Sequence, residues 1–299
     1  MALHPLPLSG LALCAGAGGL ELGLTIAEPG YRTVCFVERD AHAAATLVAR
    51  MADQALDDAP VWSDVRAFDG RAWRGRVDIL TAGYPCQPFS LAGKRLGEAD
   101  PRHLWPDIAR IIAEIDPQWV FCENVVGHLH MGFNEVARSL EGLGYRVAAG
   151  VFSAREVGAG HYRKRLFLLA HADGGLVQVR QRADGGRRQA QVRGQAPAEH
   201  CGDGFNLDAV LGAAALDPGP GAGEEPGALP LFAPGPGDLK AWSNLLLRDP
   251  GLKPAIPRTA DGVATRMDRQ RLAGNGVCSL AAAVAWRTLS AVLTGKSSG

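Results

Sequence analysis

Cys86 is the residue of this sequence best placed for covalent chemistry. It stands in Gly83-Tyr84-Pro85-Cys86-Gln87-Pro88-Phe89-Ser90, after the apolar run Val77-Asp78-Ile79-Leu80-Thr81-Ala82. That run reads as a buried strand ending at Gly83. The thiol therefore falls in a loop past a strand's carboxyl end, the edge where open α/β sheets bind ligands. Pro85 and Pro88 stiffen the backbone on either side. A free thiol titrates near pH ~8.5 and is mostly un-ionised at neutral pH until donors or cations lower its pKa. Most lone cysteines are small buried hydrophobes, so a nucleophilic reading needs partners.

Three stretches supply them. Trp119-Val120-Phe121-Cys122 reads as a strand with Glu123-Asn124-Val125 at its carboxyl end. In a parallel sheet this carboxylate and the Cys86 thiol share one rim. Gly160-His161-Tyr162-Arg163-Lys164-Arg165 opens the apolar run Leu166-Phe167-Leu168-Leu169-Ala170. It is a candidate contact to phosphate or to a base edge, or else a solvated strand end. Near the start, Leu11-Ala12-Leu13-Cys14 leads into Ala15-Gly16-Ala17-Gly18-Gly19-Leu20, a strand, a glycine-rich turn and a helix start. The next strand, Val34 to Val37, ends at Glu38. An acid about twenty residues past such a turn is where nucleotide-binding α/β proteins bond ribose hydroxyls. Asp64, at the tip of a third strand, suits either an adenine amino group or a helix cap.

The elements that must hold these groups alternate. Helices are expected over His42 to Arg50, Leu104 to Ile115, Phe133 to Leu143 and Val277 to Leu293, with a further strand over Val147 to Phe152. Ile108, Ile111, Ile112 and Ile115 have the spacing of one helical face. Alternation of this kind predicts an α/β fold. Gly93 to Arg102, with Lys94, Arg95 and Arg102, reads as a basic loop beside the thiol, a lid or an ordinary solvated loop. After His171 the composition changes. Residues 174–239 are rich in Gly, Pro, Ala, Gln and Arg, and Leu216 to Gly237 is Pro/Gly-rich and reads as partly disordered. Arginines 180, 182, 187, 188 and 193 give 176–195 a basic face.

Composition limits the partners. The chain has 299 residues, 47% of them hydrophobic, and a formal net charge of zero. A nucleic-acid partner would have to meet a local patch, because no global basic field exists. The six cysteines are scattered, with neither a CxxC pair nor zinc spacing, so no metal is expected. Four lie in apolar stretches, as in reduced cytosolic proteins. Neither a signal peptide nor a membrane span is evident, which predicts a cytoplasmic protein.

Taken in order, the glycine-rich turn, Pro85-Cys86-Gln87, Glu123-Asn124-Val125, Arg163-Lys164-Arg165 and Gly274-Asn275-Gly276 strongly resemble the DNA (cytosine-5) methyltransferases of bacteria and phages. The resemblance covers residues 10–170 and 256–295. It implies a Rossmann-like, S-adenosylmethionine-dependent catalytic domain, 1–170 plus 256–299, and a small irregular target-recognition region, 171–255, partly flexible. By the same resemblance Cys86 attacks C6 of a flipped cytosine, Glu123 holds or protonates N3, and C5 takes the methyl group. Arg163 and Arg165 contact the base or its phosphates. Ala15, Gly16, Gly18, Gly19, Glu38, Asp64, Leu104 and Asn275 form the cofactor pocket. Gln87, Ser90 and Arg102 belong to the loop that closes on double-stranded DNA.

Three positions depart from the family pattern. Cys14 stands where the family often has an adenine-stacking Phe, His161 replaces the common Gln, and Gly160 replaces a Pro. The expected enzyme is a monomer, the modification half of a restriction system or an orphan, prophage-type enzyme. No nuclease motif occurs, so a restriction endonuclease would be a separate chain. Two rivals keep the frame: a tRNA cytosine-5 methyltransferase, although the Cys-Phe-Thr marker of that group is absent, and a catalytically inactive DNA-binding regulator. A third, a thymidylate-synthase-like enzyme, also attacks C6 through a Pro-Cys thiol.

Overall fold

The computed structural model describes residues 8–85, 104–172, 232, 239–248 and 276–295. Its centre is a seven-stranded sheet. The strands are β1 (Ser9–Leu13), β2 (Arg32–Val37), β3 (Val61–Trp62), β4 (Ile79–Ala82), β5 (Trp119–Val125), β6 (Tyr145–Phe152) and β7 (Arg165–Ala172). They lie in the order β3-β2-β1-β4-β5-β7-β6. The first five are mutually parallel. β7 enters antiparallel between β5 and β6. The strand order reverses between β1 and β4, the switch point at which open α/β sheets bind ligands.

Among the described residues six helices accompany the sheet: α1 (Gly19–Ala27), α2 (Ala41–Ala52), α3 (Trp105–Ile115), α4 (Phe133–Gly142), α5 (Leu239–Arg248) and α6 (Ser279–Thr294). The isoleucine stripe of α3 packs with α4 on one sheet face, against Leu11, Leu13, Leu80 and Val120. The other face is covered by α1 and α6. Here Ile79, Trp119, Phe121 and Phe167 meet Leu20, Leu24 and Trp286. The expected helices and strands all form, with ends shifted by a few residues. The sequence periodicity did not reveal that β6 and β7 run antiparallel; that reversal is set by their pairing, not by their composition.

α1 and α6 approach closely because α1 carries glycine on the contacting side. A Cβ at Gly23 would stand 2.7 Å from the Ala282 Cβ and from the Ser279 carbonyl. A Cβ at Gly19 would stand 2.9 Å from the Val277 carbonyl. Trp286 closes the contact, its indole N–H donating to Glu28 Oε1 at 2.8 Å. Arg146 donates to the Leu293 carbonyl at the far end of α6, at 2.6 Å.

One carboxyl group is buried beneath α1. Glu21 is 1% exposed and Oε1 accepts from Thr81 Oγ1 of β4 at 2.6 Å. Burial pushes its pKa from 4.5 up to about 7, the Thr81 bond opposing. Between those values the folded chain binds a proton that the unfolded chain releases. Stability therefore falls as pH rises from 4.5 through 7, by roughly 3 kcal/mol for a shift of this size. Thermal unfolding of Glu21→Gln is expected to lose that share of the wild-type decline between pH 5 and 8. Parallel melting curves for the two proteins would show the carboxyl to be uninvolved.

Candidate active site

The rim formed by the carboxyl ends of β1, β2, β4 and β5 carries two groups of residues. The first surrounds the glycine-rich turn. Gly18, the N-cap of α1, has φ 75°, a left-handed conformation that costs other residues energy. Gly16 donates its backbone N–H to Glu38 Oε2 at 2.7 Å, and Asp40 donates its own to Glu38 Oε1 at 2.7 Å. Glu38 thus ties the turn after β1 to the end of β2. Each carboxylate oxygen keeps a further lone pair for a ligand hydroxyl. No atom of the described residues lies within 4 Å of where a Cβ would stand at Gly16, so the turn is open to them there. Arg50 braces the turn from α2, donating to the Ala17 carbonyl at 2.6 Å.

Asp64 ends the β3 segment. Its side chain accepts the Arg66 N–H at 3.0 Å, so the cap reading holds for one oxygen. Trp62 stands 49% exposed beside it and donates to the Asp64 carbonyl at 3.1 Å. Leu104 is the N-cap of α3 and packs partly buried against the main core. Cys14, at φ 51°, follows β1 directly. Burial, then the charges of Glu38 and Asp64, push its thiol up to about 12. Burial also raises Cys35 to about 11 and lifts Cys122 far above the ordinary thiol range. These three cysteines are un-ionised at neutral pH and unsuited to nucleophilic attack.

The second group lies on β5 and β7. Glu123 is 7% exposed at the carboxyl end of β5. It faces Phe167 in the antiparallel ladder, so Arg165, two residues earlier on β7, is its diagonal neighbour on the same face. Arg165 Nε meets Glu123 Oε1 at 2.9 Å. Burial raises the Glu123 pKa to about 7 against the opposing charges of Arg165 and Arg163. Arg163 has φ 32°, which turns the chain sharply before β7, and its guanidinium donates to the Gly276 carbonyl. Burial and the Arg165 charge lower its own pKa.

The segment leading to Cys86 is described as far as Pro85. Cys86, Gln87, Ser90, Arg102 and Asn275 lie outside the described residues. β4 and β5 are adjacent and parallel, with Ala82 opposite Cys122. The chain that continues to Cys86 therefore leaves the sheet beside Glu123. Asn124 holds that exit, donating from Nδ2 to the Tyr84 carbonyl at 3.2 Å. The Tyr84 hydroxyl pairs with His128 Nε2 at 3.0 Å, and its ring lies 5.4 Å from that of Trp105. The His128 pairing has no sequence signature. The Asn124 bond follows only once β4 and β5 are known to be neighbours.

An open glycine turn at the switch point and a buried acid–arginine pair two strands away stand on a Rossmann-like α/β frame. The family profile of C-5 cytosine-specific DNA methylases matches residues 8–184. The chain belongs to that family. Among similar curated proteins, a Type II methyltransferase of Neisseria gonorrhoeae, M.NgoMIV, is 37% identical over 164 residues, covering 54% of this chain and 50% of the relative. M.PspPI, a Type II methyltransferase of Psychrobacter sp., is 38% identical over 170 residues, 52% of this chain and 38% of the relative. The chain thus spans half or less of the length of these relatives. A solved structure of Spodoptera frugiperda DNMT2 is 20% identical with a TM-score of 0.48, covering 60% of this chain and 54% of that one.

Arg165 leaves an uncompensated buried carboxyl when removed. Arg165→Ala is expected to lower stability at pH 8 by roughly 3 kcal/mol, as breaking a buried pair does. Urea denaturation of Arg165→Ala beside Arg165→Ala/Glu123→Gln measures it, and the double variant should recover part of the loss. Equal stability of the two variants would mean that the carboxyl is not the cause.

Proposed function

We propose that this chain is a DNA (cytosine-5) methyltransferase that uses S-adenosylmethionine and acts on a cytosine flipped from duplex DNA. The observation that carries the reading is the pairing of Glu123 with Arg165 on the strand next to the one that leads into Pro85-Cys86. The membership of the family and the Type II methyltransferase names of its relatives support it. The cofactor cradle fits: an open glycine turn, and a Glu38 carboxylate with lone pairs to spare for ribose hydroxyls. The family resemblance adds Asp64, Leu104 and Asn275 to it. Cys14 removes one aromatic stacking surface from this pocket.

C5 of cytosine is a poor nucleophile until C6 is saturated. The Cys86 thiolate adds to C6, forming an S–C6 bond. Glu123, buried and protonated near neutrality, gives its proton to N3 as the ring's electrons move. Arg165 fixes the carboxyl in place and stabilises it once ionised. The glycine turn and Glu38 would hold S-adenosylmethionine, which would supply the methyl group: as the C5–CH3 bond forms the sulfonium S–CH3 bond breaks, leaving S-adenosylhomocysteine. A base then removes the C5 proton, the S–C6 bond breaks and the N3 proton returns to Glu123. Extruding the base costs a few kcal/mol. By the family resemblance Gln87 and Ser90 are candidates to fill the space it leaves, and Arg102 belongs to the loop that would close over it. Region 171–255, with its arginines, is the candidate reader of DNA sequence; of it only 171, 172, 232 and 239–248 are described.

Cys86→Ser is expected to abolish transfer of tritiated methyl groups to duplex DNA, and undiminished transfer removes Cys86 from the mechanism. With the acid required in its protonated form and its pKa near 7, kcat/KM should fall as pH rises through that value. Glu123→Gln should lower kcat by about 10²-fold or more and remove that alkaline limb. Transfer to tRNA but not to DNA would favour the tRNA reading.

A further inference from the structure

The turn between β6 and β7 rises from the same rim as the acid–arginine pair. Residues 153–165 hold four cations, Arg155, Arg163, Lys164 and Arg165, and one carboxylate, Glu156. This is a strong local excess in a chain of zero net charge. The Glu156 carboxylate is occupied by the backbone, accepting the Ser153 N–H at 3.1 Å in a capping box. Arg165 is engaged with Glu123, and Arg163 with the Gly276 carbonyl. Arg155 and Lys164 are left exposed, facing solvent. No carboxylate among the described residues pairs with either.

Between them stands Tyr162, 60% exposed. The Arg155 guanidinium lies over its ring, 4.7 Å from the centroid. The Tyr162 carbonyl accepts the Ala154 N–H at 2.9 Å, which fixes the two sides of the turn against each other. The left-handed backbone at Arg163 sends that side chain inward and leaves Tyr162 outward. A guanidinium stacked on a ring keeps its N–H edge free and holds it in one orientation. That edge matches a phosphate, which accepts two parallel N–H bonds. Tyr162 precedes Arg165 by three residues, at most ~10 Å of chain. This turn is therefore within reach of the phosphates that would flank a base held at Glu123.

We propose that the Arg155–Tyr162 stack, with Lys164, is a docking surface for the phosphodiester backbone of the DNA strand that supplies the target base. The proposal rests on the DNA methyltransferase reading. Tyr162 acts by positioning Arg155, and Arg155 makes the contact.

Binding of a short fluorescein-labelled mixed-sequence duplex, followed by anisotropy across a range of salt, tests it. Arg155→Ala should weaken binding about three- to tenfold and lower the slope of log K against log salt by roughly 1, the mark of one lost phosphate contact. Tyr162→Ala should weaken binding while Tyr162→Phe retains it. Arg155→Lys should keep the salt slope and lose part of the affinity. In steady-state methylation the loss should appear in KM for DNA and not in kcat. Thermal melts establish that the variants are folded. Wild-type affinity and slope in a folded Arg155→Ala/Lys164→Ala variant would overturn the surface, even with methyl transfer to DNA intact. A loss confined to labelled tRNA would overturn it as a DNA surface. Failure of the wild-type protein to methylate any DNA strikes instead at the reading beneath it, and the two results are separable.

Discussion

A carboxyl group buried at the end of β5 needs a cation, and the sheet is arranged to provide one. Glu123 has little access to water, so in its ionised form it depends on Arg165 at 2.9 Å. Arg165 can reach it because β7 runs antiparallel beside β5 and begins where β5 ends. A parallel β7 would put its first residue at the opposite edge. The reversed strand is therefore what brings a basic cluster, far away in sequence, to the rim where β4 and β5 finish. Burial raises the acid and the arginines lower it. The balance falls near neutrality, where one group can both give up and take back a proton.

The two halves of the rim are joined from behind by the same short segment. Gly276 accepts from Arg163, and Val277 rests on Gly19 at the start of α1. Behind it α6 packs along α1, with Trp286 held between Phe121, Trp119 and Glu28. A second link passes under the sheet surface, where Glu21 of α1 accepts from Thr81 of the strand that leads toward Cys86. The cradle and the acid–arginine pair thus share supports although no residue belongs to both.

Much of this was legible in the sequence because the signals are local. The isoleucine stripe of α3, the glycines after β1 and the apolar runs of β4 and β5 each depend on a few neighbouring residues. That Glu123 lies near a strand's carboxyl end followed from the apolar run Trp119 to Cys122, although the strand itself continues through Asn124 to Val125. Long-range facts were not legible. The antiparallel entry of β7 is decided by pairing, since Leu166 to Ala170 suits either direction. The Tyr84–His128 pair joins residues 44 positions apart, and Arg163–Gly276 joins residues 113 apart. The sequence leaves both a cap and a ligand contact open for Asp64; among the described residues its Oδ1 accepts the Arg66 N–H as a cap. Cys86 itself lies outside the described residues; the chain toward it is described as far as Pro85, with Asn124 donating to the Tyr84 carbonyl.

The docking of residues 276–295 has a consequence for biosynthesis. Both ends of the rim lean on a stretch translated after β1 to β7, so a nascent chain that has made all seven strands still lacks the partners of Arg163 and of the first turn of α1. The rim is complete only once residues 276–295 have docked. A chain cut before residue 276 keeps the strands of the sheet but loses the contacts that Gly276 and Val277 make at its edge.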